Sequence, residues 1–213
     1  MDAELEDFVE VNNYSNVLES YFQSEKINRI HIFALGPEGT NIYEAAKLWT
    51  EEKKISHKSE FILCETPKEA ILKAKKIQEP NSFPVFVLCA VYNRLSELYF
   101  SNSDCYFFMD HLYMKLDEMQ LATKELTQKE SYTVSSHASP STLLNKVPNV
   151  TIVNSNSNAY AAISCRNQEV DLCITTEKAR KANDLISVHK FGSPWMLFTF
   201  GTTSHGIDLL QSF

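Results

Sequence analysis

Short apolar runs alternate with amphipathic segments from Arg29 onward. The apolar runs RIHIFAL, EFILCE and PVFVLCAVY are separated by TNIYEAAKLWTEEKK and TPKEAILKAKKIQ, in which apolar residues recur every three or four positions. Apolar runs of this length are typical of buried strands, and the longer spacing is typical of helices. The resulting β-α-β-α-β order predicts a parallel sheet covered by helices.

The same alternation resumes in the second half of the chain. YTVSSH, NVTIVNS and VDLCITT predict strands, SPSTLLNKV, NAYAAISCRNQ and EKARKAN predict helices, and LISVHKF and WMLFTFG predict two closing strands. Between the two alternations, the aromatic stretch SDCYFFMDHLYMKLD predicts long strands that leave the first lobe. We therefore expect an α/β protein of two lobes, with a ligand cleft where the carboxyl ends of the strands face each other.

The order of the segments also predicts where the lobes begin and end. We predict an N-terminal helical extension over residues 1–28, a first α/β lobe formed by 29–108 together with 186–213, and a second α/β lobe over 109–185. A chain of 213 residues is long enough to bury a core in two lobes of about 100 residues each.

Charge and composition argue against several classes of protein. The net charge is −7 without any basic cluster, which predicts no nucleic-acid partner. No apolar run approaches the roughly 18 residues of a membrane span, and the acidic start MDAELEDFVEVNN is unlike a signal peptide. Five scattered cysteines without a C-x-x-C pair predict reduced, buried thiols in a cytoplasmic protein. The six histidines are dispersed, so we predict no metal site.

The turn LGPEGTN, which follows the first strand, is the first candidate for a binding site. A Gly-Pro-x-Gly turn before a helix that begins near Thr40 exposes backbone N–H groups at the positive end of the helix dipole. Glu38, Gly39, Thr40 and Asn41 are therefore candidate ligand contacts. A plain turn capped by threonine explains the pattern equally well, and the segment lacks the patterns of a P-loop or a dinucleotide-binding turn.

Three later turns also carry polar side chains where a strand ends. His137 is either a ligand contact or proton donor, or else a surface or N-capping histidine. The hydroxyls and amides of the other turns either cap the next helix or donate to a carboxylate. Besides His137, the candidates are Ser136, Ser139, Asn154, Ser155, Asn156, Ser157 and Thr175. Because such strand ends meet at one cleft, together they predict a small, oxygen-rich ligand with more than one negative charge.

These four segments resemble the prephenate dehydratase family. LGPEGTNI is similar to that family's first turn, L-G-P-x-G-T-[FY]-[ST], and SHAS, NSNSNAYAA and ITTEKA are similar to its later turns, in the same order, over about residues 30–202. The resemblance implies two Rossmann-like lobes of the periplasmic-binding-protein-like type. The family's catalytic T-R-F triplet, however, falls at Trp195, Met196 and Leu197, and Cys89 replaces a proline of its V-P-I-E-N-S segment. The departures predict that dehydratase activity is lost.

Within the family, the turns are more similar to those of the prephenate decarboxylase branch, of the bacilysin-pathway type, which also lacks T-R-F. This resemblance implies a cofactor-free carboxy-lyase of antibiotic biosynthesis that removes carbon dioxide from prephenate, or a close cyclohexadiene dicarboxylate, without aromatising the ring. The GPEGT and VNSNS turns would hold the two carboxylates, and His137 would order the ring hydroxyl or deliver a proton. Trp195 and Met196 would supply an apolar end that desolvates the departing carboxylate. The branch has a histidine at the position of Ala90.

Two other functions fit the same sequence. One is a binding or sensory protein on this scaffold whose catalytic groups have been lost, and the other is a lyase or isomerase that acts on a different small dicarboxylate. The predicted partner is in each case a small-molecule dicarboxylate such as prephenate. Exposed Tyr and Phe residues near 99–113 additionally predict a homodimer.

Overall fold

A computed structural model describes residues 14–103, 105–145 and 147–213, so residues 1–13 of the predicted N-terminal extension lie outside the described part of the chain. The longest helix has 12 residues, and no helix in the described ranges is long and apolar enough to cross a membrane. The helices are α1 (Tyr14–Gln23), α2 (Asn41–Glu52), α3 (Pro67–Ala74), α4 (Leu95–Phe100), α5 (Asn158–Arg166), α6 (Glu177–Ala182) and α7 (Ser204–Gln211), with short 3-10 turns at Ser56–Lys58 and Pro140–Leu144. The strands are β1 (Arg29–Leu35), β2 (Ser59–Cys64), β3 (Ser82–Cys89), β4 (Phe107–Lys115), β5 (Met119–Thr123), β6 (Tyr132–His137), β7 (Val150–Ser155), β8 (Leu172–Thr176), β9 (Ile186–Gly192) and β10 (Trp195–Thr202).

The strands form two five-stranded sheets, one in each lobe. The first has the order β2-β1-β3-β10-β4 and the second the order β7-β6-β8-β5-β9. In the first sheet β1 is parallel to β2 and β3, whereas β10 is antiparallel to its neighbours. In the second, β6 is parallel to β7 and β8, whereas β5 is antiparallel to β8 and β9. The predicted two-lobed α/β fold with parallel β-α-β units is confirmed.

The chain crosses between the sheets at residues 116–118 and returns at 193–194. Residues 109–115 therefore belong to the first sheet, and residues 186–192 belong to the second. These crossings differ from the predicted boundaries at 108 and 185. The physical reason is that β4 pairs with β10 along its whole length, from Lys115 opposite Trp195 to Phe107 opposite Thr202. An apolar run identifies a strand, but the run does not identify the partner with which the strand pairs.

Aromatic side chains fill the core of the first lobe. Trp49 on α2 stacks on Phe200 of β10, with ring centroids 4.4 Å apart, and meets Phe22 of α1 edge-on. The indole N–H donates to Asp110 Oδ2 over 2.9 Å, which ties α2 to the edge strand β4. The core of the second lobe is built from smaller residues, with Ala161 and Ala162 of α5 packed against the sheet. Their small side chains allow α5 to lie close to the strands that it covers.

Three elements were not predicted. β5 is fully buried but only five residues long, and a polar segment follows it directly. α7 contains Gly206, which lowers its helix propensity, yet an added Cβ there would lie 2.0 Å from Thr202 Oγ1, so close packing requires the glycine. α4 has only six residues.

The helix predicted over 139–147 is instead a short 3-10 turn at Pro140–Leu144.

The edge of the first sheet carries exposed aromatic side chains. Phe100, Phe108 and Tyr113 have 76%, 48% and 61% of their surface exposed, and the last two lie on the edge strand β4. This surface is where the sequence predicts self-association, and the homodimer stays a prediction.

Candidate functional site

A cavity of about 500 Å³ lies between the two lobes at the carboxyl ends of their parallel strands. Its first-lobe wall includes the ends of β1 and β3 and the starts of α2 and α3, and its second-lobe wall includes the ends of β6 and β7 and the start of α5. The crossover residues Leu116 and Pro194 also contribute. The volume and the largely apolar lining suit a small organic ligand.

The GPEGT turn presents backbone N–H groups to this cavity. The Thr40 hydroxyl accepts from the Tyr43 N–H over 3.2 Å and donates to the Leu35 carbonyl over 2.8 Å, so it caps α2 and its one O–H donor is already used. The N–H groups of Asn41 and Ile42 have no acceptor among the described residues, as expected for the first turn of a helix. Thr40, Asn41 and Ile42 all line the cavity. An anion there would be bound by backbone N–H groups that Thr40 orients, and not by its hydroxyl.

The VNSNSN turn repeats this arrangement on the second lobe. The Ser157 hydroxyl accepts from the Tyr160 N–H over 3.1 Å and caps α5. The N–H groups of Asn158 and Ala159 have no acceptor in the described part of the chain, and both residues line the cavity. The side-chain carbonyl oxygen of Asn158 is buried, again without a partner among those residues. Each lobe thus contributes a capped helix start whose free N–H groups belong to residues of the cavity wall.

The TTEKA turn has a different role. The Glu177 N–H donates to the Glu118 carbonyl over 2.8 Å, and the Lys178 N–H donates to Asp117 Oδ2 over 2.6 Å. The Thr176 hydroxyl accepts from the Ala179 N–H. Because the first N–H groups of α6 are bound by the crossover at 116–118, this turn anchors the junction of the two lobes and offers few donors to a ligand.

His137 ends β6 and lines the cavity. Burial lowers the pKa of its imidazole, so the ring is neutral at pH 7 and can donate one hydrogen bond and accept another. A neutral imidazole in an apolar wall is able to exchange a proton with a ligand.

The burial of His137 should make the free energy of unfolding depend on pH below neutrality. Because the folded pKa lies below the unfolded value of about 6.5, the unfolded chain takes up the proton first. The free energy of unfolding should therefore fall as the pH drops below about 6.5, by up to about 1.4 kcal/mol per pH unit for one proton. Urea titrations of His137→Gln between pH 7.5 and 5 should show a shallower decline. His57→Gln, which replaces an exposed histidine, is the control and should match the unchanged protein; equal slopes for both variants would refute the assignment.

Ten of the predicted site residues line the cavity and four do not. The ten are Gly39, Thr40, Asn41, His137, Ser139, Asn154, Ser155, Asn156, Ser157 and Met196. Glu38 points to solvent, and Ser136 is buried with its hydroxyl donating to its neighbour's carbonyl. Thr175 is buried and donates to the Asn158 carbonyl over 2.8 Å. Trp195 stacks on Tyr113 outside the cavity, with ring centroids 5.2 Å apart.

The alternation of side chains along β10 explains why Trp195 is outside. Successive residues of a strand point to opposite faces, so Met196 and Phe198 face the cavity while Trp195 and Leu197 face away. When this rule is applied to WMLFTFG, it adds Phe198 to the predicted site residues and removes Trp195 from them.

Several wall residues were not predicted. They come from the apolar strand ends, from the third strand's loop and from the start of α3, and include Leu35, Leu88, Cys89, Tyr92, Asn93, Glu65 and Thr66. Thr66 was recognisable as an N-cap, and the rule that strand carboxyl ends converge would have placed it in the cleft. Met119 could not be predicted as a wall residue because its strand, β5, was not predicted.

The wall contains no lysine or arginine among the residues that the structure describes. Among the described residues of the cavity wall, Glu65 is the one with an acidic side chain. Recognition of an anion here would depend on N–H groups and on two helix dipoles, each equivalent to about half a positive charge.

No protein-family model matches the sequence, and no curated protein sequence matches it. Solved structures do match. A prephenate dehydratase from Arthrobacter aurescens, in complex with L-Phe, has a TM-score of 0.57 at 11% identity, over 82% of this chain and 60% of that chain. The periplasmic VFT2 domain of Bordetella pertussis BvgS has a TM-score of 0.56 at 14% identity, and the match covers 91% of this chain and 88% of that chain. The periplasmic sulfonate-binding protein SsuA from Methylobacillus flagellatus has a TM-score of 0.50 at 12% identity, and the match covers 87% of this chain and 64% of that chain.

These similarities show the fold. The chain has the two-lobed α/β fold common to prephenate dehydratase and to periplasmic ligand-binding domains, and it spans 60% of the length of the dehydratase. Identities of this size leave the choice between an enzyme and a binding protein to the residues of the cleft.

Proposed function

We propose that the cleft binds a small carboxylate with an apolar ring, and that a dicarboxylate such as prephenate bridges the two lobes. One observation carries the proposal: each lobe directs a capped helix start with free N–H groups into the same apolar cavity. Two such starts on opposite walls suit two carboxylates on one ligand. The apolar side chains between them, among them Leu88, Met196 and Phe198, suit a hydrocarbon ring.

The structural neighbours support an anionic ligand. One of them is named as a dehydratase of prephenate, and another is named for binding a sulfonate. The binding role does not require the T-R-F triplet, which this chain lacks at Trp195, Met196 and Leu197. The five free cysteines suit a reducing compartment, and the predicted cytoplasmic location is part of the proposal.

Binding can be tested by calorimetry and by protection of a cysteine. Cys89 lies in the cavity wall and is partly exposed, whereas the other four cysteines are buried. Prephenate should bind with measurable heat and should slow the alkylation of Cys89 by N-ethylmaleimide, as followed by peptide mass spectrometry. Phenylpyruvate, which has a single carboxylate, should bind more weakly. An unchanged alkylation rate at saturating prephenate, together with no heat of binding, would refute the proposed ligand.

Thr40→Ala should weaken prephenate binding more than it weakens the fold. Loss of the N-cap should cost about 1 kcal/mol of unfolding free energy. Because the free N–H groups of Asn41 and Ile42 lose the turn that orients them, affinity should fall about 10-fold, or about 1.4 kcal/mol. Thr40→Ser keeps the capping hydroxyl and should restore most of the affinity in calorimetry. Equal affinities for Thr40→Ala and the unchanged protein would remove this turn from the site.

A second candidate function is the predicted carboxy-lyase, and the observation that favours it is a neutral imidazole in the apolar wall. In this reaction the bond between the ring and a carboxylate breaks, carbon dioxide leaves with that carbon, and the electron pair moves into the ring system. The ring carbon takes up a proton that comes from solvent: His137 gives it the proton of one ring nitrogen while the other ring nitrogen accepts a proton from water, so the imidazole is neutral before and after, and the ring hydroxyl stays. An apolar wall favours the step because it desolvates the carboxylate.

Turnover and binding are separated by the fate of the ligand. With prephenate, the lyase releases carbon dioxide and leaves a product that retains the ring hydroxyl, which mass spectrometry detects. Recovery of unchanged prephenate, together with protection of Cys89, would assign a binding or sensory role. Phenylpyruvate as the product would instead show dehydratase chemistry.

A further inference from the structure

Lys178 joins the two lobes at the mouth of the cleft. It lies in the first turn of α6 on the second lobe, and its ammonium contacts Glu44 Oε1 on α2 of the first lobe over 2.8 Å. A Cβ placed on Gly39 would be 3.7 Å from both Lys178 Cε and Lys178 Nζ. The ammonium therefore lies over the GPEGT turn, directly beside a residue of the cavity wall.

The backbone of Lys178 is fixed whereas its side chain can exchange partners. Asp117 of the crossover accepts its N–H, so the position of the residue is set by the junction between the lobes. The side chains of Lys178 and Glu44 are 62% and 38% exposed. Exposed pairs of this kind contribute about 1 kcal/mol or less. A ligand carboxylate in the cleft can therefore compete with Glu44 for the ammonium.

We propose that Lys178 is a specificity-determining residue of the cleft, whose ammonium leaves Glu44 to pair with a ligand carboxylate bound at the Gly39–Thr40 turn. The inference rests on the proposed function, since it assigns a counter-charge to the anion that the cleft binds. Lys178, at the mouth of the cleft, supplies the cationic side chain that the described residues of the cavity wall lack. The ammonium is charged at pH 7 with or without Glu44, because the ordinary pKa of a lysine is about 10.4; the hydrogen bond to Glu44 in the unliganded protein raises the pKa of Lys178 further.

The two partners of the ion pair should have opposite effects on binding. Lys178→Gln removes the attracting charge and should weaken prephenate binding about 10-fold in calorimetry at 20 mM NaCl. Glu44→Gln removes the competing carboxylate and should strengthen it by about 2- to 5-fold. Raising NaCl to 300 mM should reduce the affinity of the unchanged protein more than that of Lys178→Gln, because salt screens exposed charges.

A matched control and the contrary outcomes complete the test. Lys181→Gln removes a charge from the same helix, where it pairs with Glu177, and should bind prephenate within 2-fold of the unchanged protein. If Lys178 only held the lobes together, Lys178→Gln and Glu44→Gln would weaken binding alike, and the proposal would fall. Normal binding by Lys178→Gln with weakened binding by Thr40→Ala would overturn the role of Lys178 and leave the proposed function intact. No binding by the unchanged protein would overturn both.

Discussion

Asn41→Asp should abolish most carboxylate binding without harming the fold. Asn41 is the first residue of α2, lines the cavity and offers one of the free N–H groups. A carboxylate there would repel a ligand carboxylate by about 3 kcal/mol if the charges are about 5 Å apart at an effective dielectric constant of about 20. We therefore expect prephenate affinity to fall about 100-fold in calorimetry. The free energy of unfolding should stay the same or rise by a few tenths of a kcal/mol, because a negative charge is favourable at a helix N-terminus.

The control for this variant is the same substitution at a distant site. Asn28→Asp changes the net charge by the same amount, and Asn28 is exposed next to the opposite end of β1. It should bind prephenate within 2-fold of the unchanged protein. If Asn41→Asp bound as tightly as Asn28→Asp, the anion would have to lie elsewhere, and the GPEGT turn would be a structural cap alone.

Asp110→Ala should cost about 3 kcal/mol of unfolding free energy, because it leaves a largely buried ammonium without a partner. Asp110 Oδ2 accepts from Lys53 Nζ over 2.8 Å and from Trp49 Nε1 over 2.9 Å. Burial alone would raise the pKa of Asp110, but these bonds outweigh it and the pKa lies below its usual value. The stabilisation is present above the unfolded pKa and is lost as the pH falls through the folded one. Urea titration at pH 7 measures the loss directly.

Two further variants show whether the loss belongs to the buried pair. Asp208→Ala replaces an exposed aspartate and should change stability by less than about 0.5 kcal/mol. Adding Lys53→Met to Asp110→Ala removes the orphaned ammonium and should recover part of the loss. A cost below about 1 kcal/mol for Asp110→Ala would show that solvent replaces the pair.

Local pattern predicted most of the fold because the strands of the parallel units are apolar and the helices between them are regular. The apolar run around Val85 identified a central strand, and Thr66 with Pro67 identified the start of a helix. Patterns failed where neighbouring elements decide the outcome. β5 is stabilised by the sheet on both of its sides, and α7 tolerates Gly206 because the glycine packs against Thr202.

The candidate site was partly predictable for a similar reason. Turns at strand ends pointed to Thr40, Ser157 and His137, all of which line the cavity. The direction of each hydrogen bond was not readable, so the sequence did not show that the Thr40 hydroxyl is occupied or that the TTEKA turn binds the crossover. Lys178 was missed because its role depends on a contact between lobes, which no local pattern encodes.

The second lobe is one uninterrupted segment, residues 119–192, inserted between two adjacent antiparallel strands of the first. Such a segment is a cassette. Its exchange for another sequence that joins the ends of β4 and β10 would replace half of the ligand site while the aromatic core around Trp49 stays untouched. New ligand preferences could therefore arise by replacing one continuous stretch of coding sequence, without redesign of the lobe that receives it.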